Sequence, residues 1–264
     1  MQLVIGSLLA ADTLKDLAVQ AARRLENPRV RLGEAPGYPG HFVRLEAVHI
    51  REEQPGLDVL VQLVTEDFLR LYLGRYIQRQ QPELSLAAAN LMAYQIPFGN
   101  YRIYWQHAAQ LALADYIAQR QPLLMLDGFM RFRLGHMVTQ AQYLAQAAIM
   151  SRKTREEYDA LVDLLQRYVS AQRHPARHLT LYLDPEEAHL VDEMGQDRVL
   201  RPQDFPEGAI CYEDALMDYL VTLAPQRIVL CYRGGSINPR MVDTLRRIFP
   251  NRVQEMRLTP SQTP

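Results

Sequence analysis

The chain has 264 residues, with 29 basic and 30 acidic side chains and a formal net charge of −1. With 48% hydrophobic residues it can bury a core sized for one large domain or for two to three small ones. The charge balance excludes a strongly basic nucleic-acid coat, and two cysteines exclude a disulfide scaffold or a four-cysteine zinc site. The basic side chains are unevenly divided: Lys15 and Lys153 are the lysines, and the other 27 are arginines.

The first twelve residues are apolar but lack the basic region of a signal peptide. No run approaches the roughly 20 apolar residues of a membrane helix. A soluble cytoplasmic protein is expected, with Cys211 and Cys231 as reduced thiols. Cys231 lies in an apolar strand-like run and reads as a buried small hydrophobe.

Residues 1–56 read as a small α/β unit. Residues 3–9 are strand-like, and Asp12 can cap a helix through Leu14, Leu17, Ala18, Ala21 and Leu25. Residues 29–32 suggest a short strand, 34–40 a glycine- and proline-broken loop, and 41–50 a further strand.

Residues 57–174 read as an antiparallel helical bundle. A first helix covers 57–80 and a shorter one 84–94, which Pro97 and Gly99 end. Asn100 can cap the next, to about Gln119. After Pro122 the periodicity predicts one long helix over 123–150. The run Thr154-Arg155-Glu156-Glu157 has the spacing of a capping box, which would open a last helix that Pro175 stops.

Residues 175–264 change period and read as a carboxy-terminal α/β module. A strand at 178–183 precedes a hairpin over 189–200. A helix at 212–223, a strand at 227–232, a helix from Pro239 to Phe249 and a strand at 252–258 follow. The fold class is therefore α+β, with three segments at 1–56, 57–174 and 175–264.

One run is distinctive. Asp127-Gly128-Phe129-Met130-Arg131-Phe132-Arg133-Leu134, preceded by an apolar stretch, resembles the signature of the YtxC family of sporulation proteins. The helix at 154–172 and the strand, hairpin, helix order of the tail are similar too, so the resemblance spans roughly residues 120–258. It implies a sporulation-associated protein and carries over no chemistry.

The helical wheel singles out charged residues. Asp127 and Arg131 are four apart with the acid first, the spacing of a surface ion pair. On one continuous helix Arg133 falls in the apolar stripe near Leu126, Met137 and Leu144. Asp115 shares a small-residue face with Tyr104, Ala108 and Ala112, and Arg75 follows Val64, Phe68 and Leu71. An arginine in a core keeps its charge and needs an anionic partner or a water-filled opening. Arg75, Asp115 and Arg133, with Asp67 or Glu66, are therefore expected to form a polar cluster. It would be either an ion-pair network fixing helix register or a pocket for a phosphate or carboxylate. Arg233, Gly234, Gly235 and Ser236, before the Asn238–Pro239 helix start, could bind an anion through backbone amides. A plain turn and cap would explain them equally. His136, beside Phe129 and Phe132, reads as a core-edge histidine, and His174 and His178 are separated by a helix-breaking proline. No metal site, cofactor or nucleophilic triad is expected.

The leading expectation is thus a non-enzymatic interaction or regulatory protein that recognises a protein partner through its helical region. The alternatives are a binding protein or enzyme for a small anionic ligand and, less favoured by the charge balance, nucleic-acid contact.

Overall fold

Strand β1 (Gln2–Ser7) is central to the first sheet, whose order is β2-β3-β1-β4, with β2 at Arg29–Gly33, β3 at His41–Glu46 and β4 at Leu123–Met125. The computed structural model describes residues 2–8, 11–22, 29–33, 40–46, 54–119, 123–172, 178–183, 188–200, 212–232 and 238–257. They belong to two compact units, Met1–Arg152 and Lys153–Pro264. With its helices and two mixed sheets the protein is of the α+β class.

In the first unit β1 pairs antiparallel with β3 and parallel with β4. Ile5 stands opposite Val43 on one side and Leu124 on the other, and all three are buried. One hydrophobic rung thus crosses three strands. Next to it, a Cβ on Gly6 would run into Met125 Sδ and the Phe42 ring, so a larger residue here would force both side chains to shift.

Helix α1 (Ala11–Ala22) buries Leu14 and Leu17. The helix expected at 57–80 forms as three consecutive segments: α2 (Gln54–Gln62), a π-helical stretch (Leu63–Phe68) and α3 (Leu69–Gln80). Helix α4 (Leu86–Gln95) starts at Ser85, whose hydroxyl accepts from the amide of Ala88 at 3.2 Å. Helix α5 (Tyr101–Ala118) begins where expected, but the Asn100 side chain makes no capping bond.

The long helix expected over 123–150 does not form. Residues 123–125 pair with β1, and the backbone leaves helical geometry at Leu134 (φ −123°, ψ 26°), between α6 (Leu126–Arg133) and α7 (Gly135–Ala171). A wheel drawn across that break gives the wrong phase. The expected capping box at 154–157 lies inside α7, which runs through it without interruption. A capping box needs free amides, and here the preceding turns have already engaged them.

In the second unit the sheet order is β7-β6-β5-β8-β9, with β5 at His178–Leu183, β6 at Ala188–Asp192, β7 at Asp197–Leu200, β8 at Arg227–Tyr232 and β9 at Val253–Arg257. Leu181 faces Leu190 and Leu230 in register, and all three are buried. Helices α8 (Tyr212–Leu223) and α9 (Pro239–Ile248) add Leu216, Leu220, Leu245 and Ile248 to this core, and the end of α7 adds Val162 and Val169. Asn238 caps α9 through Oδ1, which accepts from the Arg240 amide at 3.1 Å, and Pro239 takes the first turn. Cys231 is buried in β8 as expected, and burial raises its thiol above the ordinary pKa.

Candidate interaction surface on helix α5

The charged cluster expected from the sequence assembles in part. Arg133 Nη1 donates to Asp115 Oδ2 at 3.3 Å, and the same oxygen accepts from Gln119 Nε2 at 3.0 Å. The Asp115–Arg133 side chains are 55% and 46% exposed, so the expected core position of Arg133 is incorrect. The helix break at Leu134 is the reason: Arg133 ends α6 and turns outward. Arg75 is half-buried on α3 and makes no ion pair or side-chain hydrogen bond among the described residues. Glu66, one of the two suggested partners with Asp67, turns instead to Arg70 and Arg102.

Asp127 does not pair with Arg131 as a surface couple. Its Oδ2 accepts from Ser7 Oγ and from the Leu8 amide, both at 2.8 Å, tying the start of α6 to the end of β1. Ser7 is fully buried, so a partner for its hydroxyl is worth more than an exposed ion pair. Arg131 is exposed, with its guanidinium 5.8 Å from the Phe132 ring centre. Phe132 is 80% exposed and His136 is exposed, which corrects the core-edge reading of that histidine. Arg233, Gly234, Gly235 and Ser236 lie outside the described residues, as do Cys211 and His174.

The feature these residues frame is a row of side chains along α5. Tyr101, Tyr104, Ala108, Leu111 and Asp115 follow a three-four-three-four spacing, which places them on one side of the helix. Tyr101 is 44% exposed, Tyr104 60% and Leu111 61%. The opposite side, with Trp105, Ala109 and Leu113, is completely buried. Helix α5 is therefore apolar on both sides, and only one of them is covered. The Asp115–Arg133 pair closes the far end of the exposed row.

The near end of the row is rigidly built. Trp105 Nε1 donates to Gln140 Oε1 at 2.8 Å, Tyr101 stacks on the Trp105 ring at 5.6 Å, and Phe98 meets it edge-on at 5.0 Å. Arg70 lies 4.2 Å from the Phe98 ring centre and 5.5 Å from that of Tyr94. Its Nη1 donates to the carbonyls of Ala93 (2.8 Å) and Tyr94 (2.9 Å) at the end of α4, where the Ala93 carbonyl also accepts from the Ile96 amide at 3.4 Å. Glu66, in the π-helical stretch, sits 3.6 Å from Arg70 and 2.6 Å from Arg102. Ten-residue α4 contains no charged residue and exposes Leu91 and Tyr94.

This whole arrangement falls inside a recognisable region, because residues 66–254 match the YtxC-like family. The chain belongs to the YtxC-like family. No curated protein and no solved structure matches it. In this YtxC-like protein the matched span begins at Glu66 and includes α4, α5 and the Asp115–Arg133 pair. The run Asp127 to Leu134, inside that span, supplies both the Asp127 anchor and Arg133.

Chemically, aromatic rings and leucine in a rigid row, bordered by charge, suit the packing of a second amphipathic helix. Among the described residues no group of three or more histidine, cysteine or acidic side chains could hold a metal ion. No helix there is long and apolar enough to cross a membrane. The sequence named Asp115, Tyr104, Ala108 and Glu66 but did not mark Tyr101, Leu111 and Arg70 as parts of one surface. The signal available was α4, ten residues without a charge, followed by an α5 whose apolar residues encircle the helix instead of forming one stripe.

Proposed function

We propose that this protein is a non-enzymatic, cytoplasmic interaction protein of sporulation, which binds a protein partner through the exposed row on α5. Family membership supports the sporulation context, through the association that the resemblance implies. The observation that carries the interaction is the pairing of Tyr104 and Leu111, each about three-fifths exposed, on a helix whose other side is fully buried. Large apolar side chains aligned at heptad spacing over two turns are costly to leave in water, and a partner helix would cover them. Tyrosine and arginine dominate the near end of the row, the composition of energetic centres in protein interfaces.

The test is a photo-crosslinking side chain placed at Tyr104 in sporulating cells, with the same group at exposed Asp218 of the second unit as control. The expected result is one discrete adduct from position 104 that is absent from position 218. Identical adduct patterns at both positions, or none at position 104, would refute the reading.

A further inference from the structure

A groove of about 390 Å³ lies between α2 and α5, on a different side of α5 from the exposed row. Asp58, Val61 and Gln62 line it from α2, and Ile103, Gln106, His107 and Gln110 from α5. Both sets follow the i, i+3, i+4 spacing of a single helix face, so the two helices present one face each to the same opening.

The five polar side chains of this groove make no hydrogen bond or ion pair among the described residues. Other polar groups of the same bundle are engaged: Gln140 with Trp105, Gln142 with Tyr72, Glu66 with Arg102. Three carboxamides each offer a donor and an acceptor, the imidazole adds one of each, and Asp58 adds acceptors. Among the described residues no arginine or lysine lines the groove, and the one charged side chain there is the acidic Asp58. That electrostatic balance disfavours phosphates and carboxylates. Val61 and Ile103 add a narrow apolar strip against which a flat C–H face can rest.

We propose that this groove binds a neutral, hydroxyl-rich ligand, a mono- or disaccharide. Paired donors and acceptors without cationic charge match vicinal hydroxyls, and the volume lies in the ~300–1,000 Å³ range of small-molecule sites. This proposal stands apart from the α5 interaction surface, and either can fail without the other.

Saturation-transfer NMR on the full chain tests it, with glucose, maltose, cellobiose and glucose 6-phosphate as probes. The expected result is transfer to ring protons of at least one neutral sugar, weakened about tenfold in affinity by Gln106→Ala and by Gln110→Ala. Asp218→Ala, in the other unit, leaves it unchanged. His107 is exposed, so His107→Ala supplies a third variant with little risk to the fold. Melting curves confirm that each variant is folded. The proposal is overturned by any of three results: no transfer to the neutral sugars, equal transfer in folded groove variants, or tighter binding of glucose 6-phosphate than of glucose.

Discussion

Arg133 Nη1 lies 3.3 Å from Asp115 Oδ2, and roughly half of each side chain is in solvent. Exposed pairs of this kind gain little, because water already solvates both charges and salt screens them. A double-mutant cycle with Asp115→Ala and Arg133→Ala should give a coupling of ~0–1 kcal/mol in urea unfolding. The coupling should shrink further as salt is added. A value several times larger would mean that the pair is desolvated.

Arg70 should behave differently. It donates to two carbonyls at the end of α4, stacks on Phe98 and accompanies Glu66, and its side chain is only 16% exposed. Arg70→Ala removes charge-assisted hydrogen bonds and packing together, at a cost of about 2–4 kcal/mol in denaturant unfolding. Arg70→Lys should recover only part of this, because an ammonium cannot fork between carbonyls while lying flat on a ring.

Gly74 of α3 packs closely against Asn90 of α4. A Cβ there would meet Asn90 Oδ1 and lie 3.1 Å from Asn90 Cα. On helix propensity alone Gly74→Ala would stabilise by ~1 kcal/mol. Overpacking should reverse that sign and cost about 1–3 kcal/mol. Asn90 Oδ1 is also buried without a hydrogen-bond partner among the described residues. Adding Asn90→Ala should therefore relieve the clash at little cost of its own, and the double variant should melt above Gly74→Ala.

Cys231 has its thiol pKa raised by burial. The fold thus holds the proton where the unfolded chain would ionise. This contribution to stability is complete below the ordinary thiol pKa and is lost as pH rises through the raised one. In a Cys211→Ser background, native Cys231 should react with a disulfide reagent far more slowly than after unfolding. Unfolding midpoints of this variant should fall on the alkaline side more than those of a Cys211→Ser, Cys231→Ala double variant.

Local signals accounted for most elements of the second unit. The periods at 178–183, 212–223 and 227–232, and the Asn238–Pro239 start, are set by neighbours in the chain, and each formed where its residues indicated. The Asp115–Arg133 contact was anticipated only as part of a core cluster, from a helix phase that the break at Leu134 overturns. The site failed to be legible where phase depended on distant pairing. Leu123 to Met125 have an apolar pattern that suits either a helix or a strand, and only β1 beside them decides for strand. That choice, with the break at Leu134, re-aimed Arg133 and directed Asp127 to Ser7.

The sequence by itself determined an α+β protein of the YtxC-like family with a buried Cys231, because composition, periodicity and a contiguous signature run are properties of neighbouring residues. Only the tertiary structure decided which side of α5 is covered and which stands in water. Both sides of that helix are apolar, so no wheel can rank them. Burial of Trp105 against Phe98 and Gln140 settles it, leaving Tyr104 and Leu111 outside.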